Sequence, residues 1–196
     1  MTPVCEFDRL ARDVVIWHSY QAAVRAGCGS TAVRVQTGWV VFDPLPLEEV
    51  AWAALLGIAP VTAIVLTSGN HERASSDFAR RSGSLVHAPA GARGEVRADV
   101  FHEADAIVHG FRSISLPGAG PGETAWTDGS TLVIGDALIN LDGLALLPDK
   151  YCSDPKLLRR SLRVLLSETF ERVTFAHGEP LVEQANDRLS EFVSCL

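Results

Sequence analysis

The sequence predicts one α/β domain over residues 1–196, a layered sandwich with helices on its outer faces. Three observations predict it. Apolar residues make up 47% of the 196 and charged residues 21%, the balance of a chain that folds around a sizeable core. Runs of β-branched and aromatic residues recur through the first two thirds, punctuated by a few segments of helical spacing. The chain then closes with helix, strand, helix.

In order, DVVIWHS (Asp13–Ser19) reads as a strand, and the Gly27–Ser30 stretch (GCGS) reads as a turn. TAVRVQTGWVVFDP alternates well enough for two strands joined near Gly38. Pro44 and Pro46 stop the pairing, because proline has no N–H for a sheet ladder. LEEVAWAALLG carries apolar residues at helical spacing and ends at Gly57, a helix stop. VTAIVL is a nearly continuous apolar run, as a strand covered on both faces should be. SGNHERASSDFARRSG then reads as a capped helix ending at Gly83. Short strands follow in SLVHA, DAIVHG, RSISL, ETAWT and TLVIGDAL. The last third predicts a helix over Asp154–Ser167, the strand RVTFAHG, and a final helix from about Leu181.

The formal net charge of -7 argues against nucleic acid or an anionic membrane surface as a partner. No apolar stretch approaches the ~20 residues a bilayer span requires. The first residues, MTPVCEFDRLARD, carry charges where a secretion signal needs an apolar run, so a soluble, cytoplasmic protein is expected. Cys5, Cys28, Cys152 and Cys195 show no metal-finger spacing and read as reduced thiols. Trp17, Trp39, Trp52 and Trp126 read as core, and the sequence leaves the oligomeric state open.

Candidate chemistry gathers where strands exit: Ser68–Arg73 after VTAIVL, Ala119–Glu123 after RSISL, Asp136 after TLVIG, and His177 after RVTFA. These loops, in this order, resemble those of the metallo-β-lactamase superfamily, and the resemblance runs from FDP (Phe42–Pro44) to HGEP (His177–Pro180). It implies a four-layer αββα sandwich with mixed sheets. In the family the first loop reads T-H-x-H-x-D-H, the second P-G-H-T-P-G, the third G-D, and the last strand ends in histidine. LTSGNHER places Ser68 and Asn70 at the first two histidines, Glu72 at the aspartate and Arg73 at the next histidine, with His71 at a spacer. PGAGPGETA places Ala119 at the third histidine; Glu123 matches only in a shifted loop. Asp136 keeps the bridging aspartate and His177 the last histidine, while Asp43 matches a strand-end aspartate that supports the histidine loop.

A hydroxyl, an amide and a methyl group are not competitive zinc ligands. Arg73 adds a permanent cation, since guanidinium does not deprotonate in proteins. The resemblance therefore implies a degenerate metal site in which no cofactor, and no conventional dinuclear zinc centre, is expected. Arg73 is expected to stand in for the metal by pairing with Asp136 or Glu72. The function implied is a pseudoenzyme that binds a small molecule or a protein partner in the former cleft. The alternative is a hydrolase of an ester, thioester or lactone. It would use either one hard ion (Mn²⁺ or Mg²⁺) on Glu72, Asp136 and His177, or a metal-free His177/Asp136 acid–base pair.

Plainer readings stand beside these. Ser68 or Asn70 would cap a helix with Glu72 in its first turn. Asp136 would cap a turn, and His177 would be a hydrogen-bonded core histidine. The Gly118–Gly122 loop lacks the Lys-Ser/Thr of a phosphate cradle. Lys150, with Tyr151, is a candidate anion contact by position. His18, His87, His102 and His109 fall outside the aligned loops and read as structural or surface residues. No G-x-S-x-G elbow supports a serine triad.

Overall fold

A computed structural model describes residues 1–22 and 26–196. The chain opens with four antiparallel strands, β1 (Asp8–Ala11), β2 (Val14–Gln21), β3 (Ala26–Val35) and β4 (Gly38–Phe42). After α1 (Glu49–Ile58) it adds β5 (Val61–Val65) parallel to β4. Past α2 (Ser75–Ser82) come β6 (Val86–Pro89) and β7 (Val100–His102), also parallel. These seven strands form one sheet in chain order.

The second sheet holds β8 (Ile107–Val108), β9 (Phe111–Ser115), β10 (Thr124–Thr127) and β11 (Thr131–Ile134). A small hairpin, β12 (Leu138–Asn140) and β13 (Leu144–Leu146), leads to α3 (Pro155–Ser161), then β14 (Arg172–Phe175) and α4 (Ala185–Ser194). The order across this sheet is β14-β11-β10-β9-β8, with β14 parallel to β11. The two sheets face each other and helices cover both outer faces, the expected αββα layering.

Side-chain alternation with a period of two explains the layering. In β4, Trp39 and Val41 point toward α1 and α2, whereas Val40 and Phe42 point between the sheets. In β5, Ile64 faces the helices and Ala63 and Val65 face the inner layer. From the second sheet, Phe111, Trp126 and Val133 meet that inner layer, while Leu132 and Ile134 pack outward with Leu158, Leu162, Leu189 and Val193. All four tryptophans are buried, as expected.

Local details depart from expectation. Gly27–Ser30 is not a turn but the middle of β3, paired with Trp17–Tyr20 of β2; glycine permits the approach of the Phe175 carbonyl at Gly29. The segment after β5 does not enter a helix at Ser68. It runs through a turn, and α2 begins at Ser75 with Ala74 at its N-cap, so Ser68 and Asn70 cap nothing. The final helix begins at Ala185 because Leu181 instead exchanges main-chain hydrogen bonds with Val173. Asp154 does cap α3, accepting from the N–H groups of Lys156 and Leu157 ahead of a helix whose first residue is Pro155. Among the described residues no helix is long and apolar enough to cross a membrane.

Candidate functional site

The sheets bring their strand exits to one end, and three side chains meet there: His71, Asp136 and His177, with one ligand-type atom from each lying within 4.8 Å of the others. Both imidazole Nε2 atoms face the same carboxylate oxygen. His71 Nε2 lies 3.3 Å, and His177 Nε2 3.2 Å, from Asp136 Oδ1. Asn70 Nδ2 donates to the other oxygen, Oδ2, at 2.9 Å.

Each ring is fixed from behind. Asp43, buried at the end of β4, accepts from the Thr67 N–H at 2.8 Å and the Thr67 hydroxyl at 2.6 Å, and its Oδ2 lies 2.9 Å from His71 Nδ1. An ionised carboxylate only accepts, so His71 carries hydrogen on Nδ1. His177 Nδ1 lies 3.0 Å from the Gly27 carbonyl, again an acceptor, so it too carries hydrogen there. Cys28 Sγ stands 3.9 Å from the same nitrogen. Each ring thus presents Nε2 to the centre.

Backbone shape makes this possible. Asp43 and Arg73 both occupy the left-handed region, with φ of 47° and 43°, where non-glycine residues are uncommon and strained. Between them, Ser68 Oγ accepts from the Asn70 N–H at 3.2 Å and the Ser68 carbonyl accepts from the His71 N–H at 3.3 Å, curling the chain so that His71 points inward. Gly120 and Gly135 leave the space: a Cβ on the first would press on Asn70 Nδ2, and one on the second would collide with Thr67 Oγ1 and Glu123 Oε1.

Charge coupling is strong. Burial opposes ionisation of His71, but Asp43 and then Asp136 outweigh it and lift its pKa to about 10, with Arg73 acting against them. For His177, burial is overcome by hydrogen bonds to Asp136 and Cys28, and its pKa rises to about 9. Asp136 falls far below the usual carboxylate range despite its burial, chiefly through His71 and the hydrogen bond from His177. Glu123 behaves oppositely: burial, reinforced by Asp136, drives its pKa well up. Its Oε1 accepts from the Ala137 N–H at 2.9 Å, and its buried Oε2 has no partner among the described residues.

The ligand-type cluster differs from the one the alignment implied. Glu72 does not join Asp136 and His177; it turns toward the surface, 3.8 Å from Arg97 Nε, and His71 takes the place at the centre. Nor does Arg73 pair with Asp136 or Glu72. Its guanidinium donates to three main-chain carbonyls, Gly29 at 2.6 Å, Asp43 at 2.9 Å and Ala176 at 3.3 Å, because the left-handed turn at Arg73 aims it between strands. Ala119 is packed in the apolar layer beneath α3. Lys150 is exposed, its ammonium 4.7 Å from the Tyr151 ring centroid. The sequence reading put His71 in the cleft but not among the ligand positions; the signal for its inward turn was Asp43, a buried strand-end carboxylate that needs a donor.

Similarity to known proteins agrees with the architecture. A structure of a metallo-β-lactamase from Erythrobacter litoralis aligns with a TM-score of 0.71 at 17% identity, covering 97% of this chain and 92% of that one. The DIM-1 metallo-β-lactamase aligns with a TM-score of 0.75 at 12% identity, covering 98% of each chain. TTHA1623, solved in a di-iron-bound form, gives 0.67 at 24% identity over 90% of this chain and 99% of that one. A comparison with curated protein sequences found no match. The sequence profile of the metallo-β-lactamase superfamily matches residues 8–196, and the chain belongs to that superfamily.

Proposed function

We propose that the centre binds a single divalent metal ion through His71 Nε2, Asp136 Oδ1 and His177 Nε2, and that the protein is a hydrolase with a one-metal site. The observation that carries this reading is the orientation of the two rings. Metal-bound histidines almost always donate their other ring N–H to a carboxylate or main-chain carbonyl. Asp43 and the Gly27 carbonyl fill that role here. The Nε2–Oδ1 separations of 3.3 and 3.2 Å also suit ligands at about 2.0–2.1 Å from one tetrahedral ion.

With His71 in place of Glu72 the donors are two imidazoles and one carboxylate, a set that suits zinc or iron(II) better than the oxygen-seeking Mg²⁺. When bound, such an ion acts as a Lewis acid and lowers the pKa of a bound water. The chain's part is to hold both rings in one tautomer and, through Asn70, to fix the free oxygen of Asp136. An ester, thioester or lactone as substrate is supported by fold analogy alone.

A second reading rests on a specific observation. With both imidazoles protonated, the cluster satisfies its own charges around Asp136 and needs no metal. This is the pseudoenzyme, binding a small molecule or protein partner. Elemental analysis of protein purified without chelator separates the two. The metal reading expects about one zinc or iron per chain, removal by chelator, and hydrolysis of activated esters that returns with the ion and is absent in His177→Ala. Protein that neither carries nor takes up Zn²⁺ or Fe²⁺ leaves the second reading standing and overturns the first.

A further inference from the structure

The Arg73 guanidinium touches neither Asp136 nor any other carboxylate among the described residues; its hydrogen bonds go to carbonyls of three separate segments. Gly29 lies in β3, Asp43 follows β4, and Ala176 follows β14, so one side chain ties the first sheet to the second. Each segment carries part of the support for one of the two rings. The Asp43 carboxylate holds His71 Nδ1. Ala176 directly precedes His177 in the chain. Gly29 sits two residues beyond Gly27, whose carbonyl holds His177 Nδ1, and the Gly29 N–H donates to the Ala176 carbonyl at 2.8 Å.

We propose that Arg73 is the positioning residue of this centre, a fixed cationic clamp that sets the separation of His71 from His177 by holding the Asp43 and Ala176 carbonyls on opposite sheets. The inference rests on the one-metal reading for its consequence but not for its geometry. A planar fork with several N–H donors can bind three carbonyls at once. A lysine ammonium is a compact point charge on a flexible stem and does not reproduce that pattern. The left-handed backbone at Arg73 fits the same purpose, because strain of that kind persists only where the surroundings over-determine it.

Charge and clamping make opposite predictions. Arg73 is a cation near a cation site, so its charge by itself weakens metal binding; a clamp that holds the two rings apart at the right distance strengthens it. Two variants separate the effects. Arg73→Lys keeps the charge and loses the fork, and Arg73→Ala loses both. Calorimetric titration of the chelator-stripped full chain with Zn²⁺ should show at least about tenfold weaker binding in both variants, the loss typical of outer-shell changes. Histidine ring resonances in the metal-free protein should be single and sharp for His71 and His177 in the wild type, and broadened or doubled in Arg73→Lys. His87 and His102 resonances should stay unchanged in the same spectra, which separates local loosening from general unfolding.

Zn²⁺ binding by Arg73→Lys equal to wild type, or tighter binding by Arg73→Ala, overturns the clamp. Unchanged His71 and His177 resonances in Arg73→Lys overturn it equally. If wild type takes up no Zn²⁺, the one-metal reading fails, and the ring resonances still decide whether Arg73 holds the two histidines.

Discussion

Two pairs of histidines in this sandwich are treated in opposite ways by their surroundings. His71 and His177 converge on Asp136 at the strand exits, with Asp43 behind the first ring. His87 on β6 and His102 on β7 meet each other instead, Nδ1 to Nε2 at 2.8 Å, with their rings nearly parallel. His71 is the more buried, yet its pKa rises to about 10, whereas that of His87 falls to about 4 through burial and the neighbouring His102. The residue type is the same, and burial alone would order them the other way. Neighbouring carboxylates make the difference: two flank His71, while His87 feels only a weaker pull from Asp99. The first pair can be charged or bind metal; the second is a neutral hydrogen-bonded contact along a sheet edge.

The comparison breaks most sharply at the ligands. His177→Ala should weaken Zn²⁺ binding more than about a hundredfold, beyond the range of outer-shell changes, whereas His102→Ala should leave it unchanged; calorimetry on both proteins checks this. Next in size, Asp43→Asn removes the charge behind His71 and should lower stability by about 3 kcal/mol, the scale for breaking a buried charged pair, as read from denaturant midpoints.

The edge pair should announce itself in acid. The folded pKa of His87 is depressed to about 4, so the unfolded chain takes up the proton first, near the ordinary value of about 6.5. Stability present above that value should therefore fade as pH drops toward the folded pKa. The groups around His87 are His102, His109 and Asp99. His87→Gln should flatten the loss by about 1 kcal/mol after allowance for solvent screening, measured by melts across the acid range.

Glu123 sharpens the rule from the other side, as a buried carboxyl without an imidazole partner. Its folded pKa is raised, so its contribution is present at low pH and is lost as pH rises toward the folded value. Glu123→Gln should be stabilising by about 1 kcal/mol in neutral and alkaline solution, with no gain in acid. A destabilised variant at neutral pH would mean that Glu123 is held ionised by something other than its visible neighbours.

Much of the fold was legible because it depends on short-range pattern. The β-branched and aromatic run GWVVF after the break at Gly38 and the nearly continuous apolar run VTAIVL marked β4 and β5, and the turn residues around them marked their ends. β7 was not legible: Val100–His102 is too short and too ordinary in composition to stand out, and only pairing with β6 makes it a strand. The Gly27–Ser30 stretch misled for a related reason. Glycine favours turns locally, but in β3 it admits the Phe175 main chain from the other sheet.

By itself the sequence determined the layered α/β class through its periodicity. Through the ordered loop motifs that resemble the superfamily it supplied the family, the αββα order and two of the three residues that meet at the strand exits, Asp136 and His177. Only the tertiary structure decided that His71, and not Glu72, completes the centre, and that Arg73 binds carbonyls. Both depend on the path of the backbone from Thr67 to Ala74, and its left-handed turn at Arg73 is held by contacts from two sheets. A loop's side-chain directions are set by what surrounds it, and for this loop the surroundings lie up to 103 residues away along the chain.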